Sequence, residues 1–194
     1  MTIIPDQEPV TPEMQFLLGS YAYVRSAQVL RFSEEWETEA PALLRPTLNL
    51  LSHGLELLLK VSLLHAGLTP EQVASTYRHN LRRLWDHDEN RLLRELLLLQ
   101  AEVCWLHNAK SGRWPKDNFN QDPRRVFVAA VYKLSRLHSG ESNYALRYLV
   151  NREEKAPRSA FLIDTLYELL FKAVRQPALL YPAKSVEYAV YNSP

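Results

Sequence analysis

The chain has 194 residues, 46% of them hydrophobic, with 23 basic against 22 acidic side chains. That length fits one domain with a sizeable core and argues against disorder, while the cancelling charge excludes a globally basic nucleic-acid glove but not a local basic patch. One cysteine, Cys104, excludes an intrachain disulfide framework and a cysteine-rich zinc module.

Leucine dominates the apolar set, 34 against 3 isoleucines, and leucine keeps its rotamer freedom in a helix where β-branched residues suit strands. The expectation is an all-α fold, an antiparallel bundle of four to five main helices with short accessory helices, forming a single domain over 1–194. Residues 1 to about 11 read as a proline-punctuated arm. A helix is expected from Pro12 to Trp36, capped by Thr11. The next runs from Ala42 to Ala66 and ends at Gly67. Its apolar positions Leu44, Leu48, Leu51, Leu55 and Leu58 leave little polar surface, which marks the most buried helix. Thr69, Pro70 and Glu71 open a short helix, and His79 or Asn80 can cap another. A leucine-rich helix spans about Glu89 to His107. NAKSGRWPKDNFNQD is a loop by composition. Asp122 and Pro123 open a helix to His138, and ALRYLV is a short helical piece. A last strong helix runs from Ser159 to Arg175. From about 176 to 194 a tail carries Tyr181, Tyr188 and Tyr191.

The opening MTIIPDQEPVTPEM has acidic residues and prolines where a secretory leader needs a basic end and an apolar run. The run LLRELLLLQAEVCWL is broken by Arg94, Glu95, Gln100 and Glu102, short of the ~18 apolar residues of a membrane span. The expectation is a cytoplasmic chain with no membrane partner, its unpaired thiol suited to a reducing compartment.

Two local patterns could carry chemistry. Asn49, His53, Glu56 and Lys60 recur at four, three and four residues, one polar stripe on a greasy helix. Such a stripe either faces solvent and braces loops, or opens a polar cleft where His53 and Lys60 hold an anion. The second pattern is Arg78, His79 and Asn80 followed by Arg82 and Arg83. Forked guanidinium groups and helix N-terminal N–H groups suit phosphate; capping by Asn80 and pairing with Asp86, Asp88 and Glu89 is the plainer use. The loop with Lys110, Arg113, Trp114, Lys116, Phe119, Arg124 and Arg125 interleaves aromatic and basic residues. That suits stacking on single-stranded bases, or aromatics tucked into the bundle. His53 with Glu56 lacks a third ligand by spacing, so neither metal nor cofactor is expected. Cys104 reads as core.

HGLELLLKVSLLHAG followed by YRHNLRRL resembles the HEPN superfamily of helical nucleotide- and RNA-associated domains. The resemblance rests on Glu56 to Lys60, on the box His79-Asn80-Leu81, and on a later echo at Ala145-Leu146-Arg147-Tyr148. It implies a helical bundle, homodimers with a cleft between subunits, and nucleotide or RNA binding in toxin–antitoxin, phage-defence or stress settings, sometimes beside a small nucleotidyltransferase. The ligand would be held by His53, Glu56, Lys60, Arg78, His79 and Asn80. Many members are metal-independent ribonucleases with an R-x4–6-H motif near the C-terminal helix, where histidine moves a proton and arginine stabilises phosphorane charge. This chain departs from them. Its last helix has no histidine, and its R-x4-H match is Arg82 to His87. The expectation is therefore a non-catalytic nucleotide- or RNA-binding protein. Endoribonuclease action through Arg82 and His87, and a ligand-free homodimeric interaction module, are the alternatives.

Overall fold

A computed structural model describes residues 10–114, 117–138 and 156–181. Most of the N-terminal arm, Lys116, the Ala145–Tyr148 echo, the ALRYLV piece, Tyr188 and Tyr191 lie outside the described residues. The helices are α1 (Pro12–Arg31), α2 (Trp36–His65), α3 (Pro70–Tyr77), α4 (Leu81–Trp85), α5 (Arg91–Asn108), α6 (Pro123–His138) and α7 (Ser159–Arg175). Single 3-10 turns lie at Asp88–Asn90 and Pro177–Leu180. No strand occurs among the described residues. The fold is the expected all-α helical bundle, with five long helices and two short ones among the described residues.

Local chemistry sets most of the boundaries. Thr11 Oγ1 accepts the Met14 N–H, and Pro12 occupies the first turn, where its missing donor costs nothing. α1 ends at Arg31, short of the expected Trp36. Trp36 instead opens α2, which breaks at Glu39 (φ −118°, ψ 19°) before its long segment begins. Pro41 sits in the first turn of that segment, which is why the sequence reads as a helix from Ala42. At the other end the N–H groups of Gly67 and Leu68 bond to Leu64 O and Leu63 O, with Gly67 at φ +98°. This is the paired closure that a left-handed glycine allows. Thr69 and Gln72 bond reciprocally to each other's backbone N–H and cap α3.

α2 is the hub, touching α1, α3, α4, α6 and α7. Leu51, Leu58, Leu59 and Leu63 are wholly buried on it. Gly54 lets α1 approach closely: Ser20 Oγ donates to Gly54 O at 2.7 Å, and a Cβ would stand 2.7 Å from Val24 Cγ2. α2, a different segment from the interrupted run in α5, is long and apolar enough to cross a membrane by length and composition. However, 78% of its apolar window is buried by neighbours inside the bundle, so packing accounts for the hydropathy.

The loop after α5 is clamped to α7. Asp164 accepts Arg113 Nε at 2.6 Å, Arg113 Nη2 at 2.8 Å and Trp114 Nε1 at 2.8 Å. Trp114 and Phe119 are buried in the core. The aromatics of this loop are therefore bundle anchors, and the base-stacking use is overturned. Asp117 Oδ2 accepts the Ala160 N–H and caps α7 from the loop. Cys104 is also core: burial pushes its thiol above the usual range.

Candidate functional site

The two sequence patterns meet. Glu56, on the face of α2 toward the α3–α4 turn, is buried. Its Oε1 accepts Lys60 Nζ at 2.5 Å, and its Oε2 lies 3.0 Å from His79 Nδ1. Lys60 Nζ also donates to Arg78 O at 3.0 Å. That bond holds an unusual backbone: Arg78 has φ +46° and ψ −115°, and Asn80 N–H closes onto Tyr77 O at 2.9 Å. This is a tight turn of the kind that favours glycine at its first central position. An arginine there stores strain. The turn aims His79 at Glu56 and leaves the Arg78 side chain in solvent.

A third element completes the cluster. His138, on the last turn of α6, is fully buried, with Nε2 3.5 Å from Glu56 Oε2. The His53 ring meets that of His138 edge-on at 4.7 Å, and Tyr23 of α1 lies 5.5 Å from His53. One ligand-type atom from each of His53, Glu56, His79 and His138 falls within 4.8 Å of the other three. Burial by itself would raise the Glu56 carboxyl. The approach of His138 and the bonds and charge of Lys60, with the bond from His79, outweigh it and bring the carboxyl down to about 2.

Each expected site residue can now be placed. His53, Glu56, Lys60 and His79 converge. Lys60 is buried with its ammonium spent on Glu56 and the Arg78 carbonyl, so the expectation that it meets an anion directly does not fit its geometry. Asn80 caps α4, its Oδ1 accepting the Arg83 N–H at 2.9 Å. Arg83 bonds to Thr76 O, and Arg94 to Trp85 O and His87 O. These two guanidinium groups close helix ends and the α4–α5 link rather than meeting ligand. Arg82 stays open. Its side chain is 72% exposed, with a 3.7 Å pair to Asp86 and the Tyr132 ring beneath it.

Arg82 also borders a cleft of about 420 Å³ between α4 and α6, lined by Asn80, Arg82, Ala129, Tyr132, Lys133, Ser135 and Arg136. Among the described residues no carboxylate lines it, although Asp86 touches two of its lining residues, accepting the Tyr132 hydroxyl at 3.0 Å and pairing with Arg82. Ser135 Oγ accepts the Arg82 N–H and ties the two walls together. A shallower hollow of about 390 Å³ brings Arg82 and His87 together with Asn80, Arg83 and Asp86. His87 Nδ1 there accepts the Glu89 N–H at 3.2 Å, which places the ring proton on Nε2.

Sequence reasoning missed His138, Lys133 and Arg136. A rule keyed to arginine passes over Lys133 and His138, a base and a histidine five positions apart on α6. No periodic pattern ties His138 to α2. Comparison with known proteins finds no matching family model, no matching curated protein and no matching solved structure.

Proposed function

We propose that the chain is a HEPN-like protein that binds the phosphates of a nucleotide or RNA in the α4–α6 cleft, without cleaving them. The observation that carries this reading is the cleft wall itself. Arg82, Lys133 and Arg136 border one hollow with Asn80 and Ser135, and among the described residues no acidic side chain lines it. Guanidinium forks and hydroxyl donors are the groups that phosphate recognition uses. Asp86 pairs with Arg82 at 3.7 Å and accepts the Tyr132 hydroxyl at 3.0 Å, both at the exposed surface, and an exposed pair of this kind yields to a phosphate at little cost. The likeness to the superfamily gains support because two of its three quoted motifs touch, through Glu56 and His79. The Glu56–Lys60–His79 brace then serves the ligand indirectly, by fixing the turn that presents Asn80 and α4.

Fluorescence anisotropy with a short single-stranded RNA, and thermal shift with nucleoside triphosphates, test the reading. The double variant R82A/K133A should bind about tenfold or more weakly, since hydrogen bonds to charged groups contribute about 1.5–3 kcal/mol each. Its dependence on salt should also flatten. Unchanged affinity overturns the cleft. Absence of stabilisation by every nucleotide and RNA favours the interaction-module reading instead.

One observation favours a second reading: Arg82 and His87 share a hollow. RNA cleavage in the presence of chelator that vanishes in H87A would establish it. The Nδ1 cap on Glu89 argues against it, because the ring can offer a base only by surrendering that bond.

A further inference from the structure

We infer that His53, Glu56, His79 and His138 form a binding site for one divalent transition-metal ion of the zinc class. The site does not depend on the phosphate reading, since none of these four residues lines the α4–α6 cleft.

Three parts of the fold supply the donors. His53 and Glu56 stand three apart on α2, so both face the same way. His79 comes from the α3–α4 turn and His138 from the end of α6. The spacing of the donors suits a small ion. Four ligands about 2.0–2.2 Å from a tetrahedral centre lie roughly 3.3–3.6 Å from one another. His138 Nε2 to Glu56 Oε2 is already 3.5 Å, and His79 Nδ1 to Oε2 is 3.0 Å. No pair exceeds 4.8 Å. Closing the widest gap takes a shift of about 1 Å, and His79, on a turn with a half-exposed side chain, can supply it.

His138 is the independent sign. Its ring is fully buried, and among the described residues neither nitrogen has a hydrogen-bond partner. Buried imidazoles ordinarily satisfy at least one nitrogen. Here Nε2 faces Glu56 Oε2 across 3.5 Å, a separation that suits two ligands of a shared ion.

The surroundings also suit a metal. Lys60 holds Oε1 of Glu56 and so orients Oε2 toward the histidines, as outer-shell partners do. Its charge offsets that of the carboxylate, which leaves three neutral imidazoles to supply most of the binding. That donor set selects zinc, cobalt or nickel over magnesium and calcium, which require oxygen ligands. On binding, the ion takes the place of the proton that His79 Nδ1 shares with Oε2. That proton moves to the ring's Nε2, so the imidazole stays neutral as a ligand.

The experiment uses the full, tag-free chain, dialysed against chelator and then titrated with Zn2+ by equilibrium dialysis and with Co2+ by visible absorption. The expected result is one ion per chain at micromolar affinity or tighter, with cobalt bands of a low-coordinate nitrogen and oxygen site. H79A and H53A should each weaken binding about tenfold or more. H87A/H107A, which removes two histidines outside the cluster, should bind as the parent does. Millimolar Mg2+ should not compete. Because H138A can fail to fold, the half-exposed His79 carries the test. No binding at micromolar metal overturns the site. So does stoichiometric binding that survives H79A and H53A, or that is lost in H87A/H107A.

Discussion

Glu56 is buried and meets three other charged or titratable side chains. A buried carboxylate in an apolar helix surface is costly unless it is paired. Lys60 and His79 pair it directly, and His138 adds a third approach. Its carboxyl is held at about 2 against an ordinary 4.5. A depressed carboxyl contributes stability that is complete above the unfolded value and lost as pH falls through the folded one. For Glu56 that window runs from 4.5 down to about 2. The measurement is urea unfolding of the parent and E56Q with chelator present. E56Q should be less stable by about 3 kcal/mol between pH 5 and 7. The difference should shrink below pH 4.5 as the parent gains the proton. A gap that stays constant down to pH 2.5 would show that the cost of E56Q is packing, with no contribution from ionisation.

At the scale of elements, signals carried by adjacent residues were legible and those carried across the fold were not. Thr11, Gly67, Thr69 and Asn80 each mark a helix end by bonds within a few residues, and each does so in the structure. The start of α2 was misread because Pro41 imitates a helix start one turn beyond the real one. Half of the site, the stripe on α2, was visible as spacing. His138 was not, because it joins the cluster from 82 positions beyond Glu56 and its own helix reads as ordinary amphipathic chain. The α3–α4 turn was visible as composition only. Nothing in YRHN announces that arginine occupies a glycine conformation there. That mismatch makes a prediction. Arg78 at φ +46° stores about 1–3 kcal/mol of strain. Glycine removes the strain and gives back about 0.5–1 kcal/mol in unfolded-chain entropy. R78G should therefore raise the unfolding free energy by about 1 kcal/mol, read as a higher urea midpoint at unchanged slope. R78A keeps the steric conflict and should not. A lower midpoint for R78G would show that the arginine side chain stabilises the turn more than its backbone strains it.

Over the whole molecule, the bundle is closed by side chains that span long stretches of sequence. Arg113 and Trp114 reach Asp164 some fifty positions away, and Asp117 caps α7 at Ala160. α7 packs against α1, α2 and α5, so this loop fixes a helix that three others pack on. The clamp is unequal. The Asp164 side chain is 4% exposed, whereas that of Arg113 is 43% exposed. Removing one partner of such a pair costs according to the charge left behind. R113A strands a buried carboxylate with only the Trp114 N–H for company, and it should lose about 3 kcal/mol. D164N leaves a guanidinium that water can reach, and its amide oxygen can still accept the indole N–H. Its cost should be nearer 1–2 kcal/mol. In the D164N background, R113A should then add less than about 0.5 kcal/mol, because the stranded charge is already gone. Urea unfolding of the two single variants and the double variant closes the cycle. Equal costs for the singles, or additivity in the double, would mean that the Arg113–Asp164 pair adds nothing to the packing of Trp114 and Phe119 and the Asp117 cap.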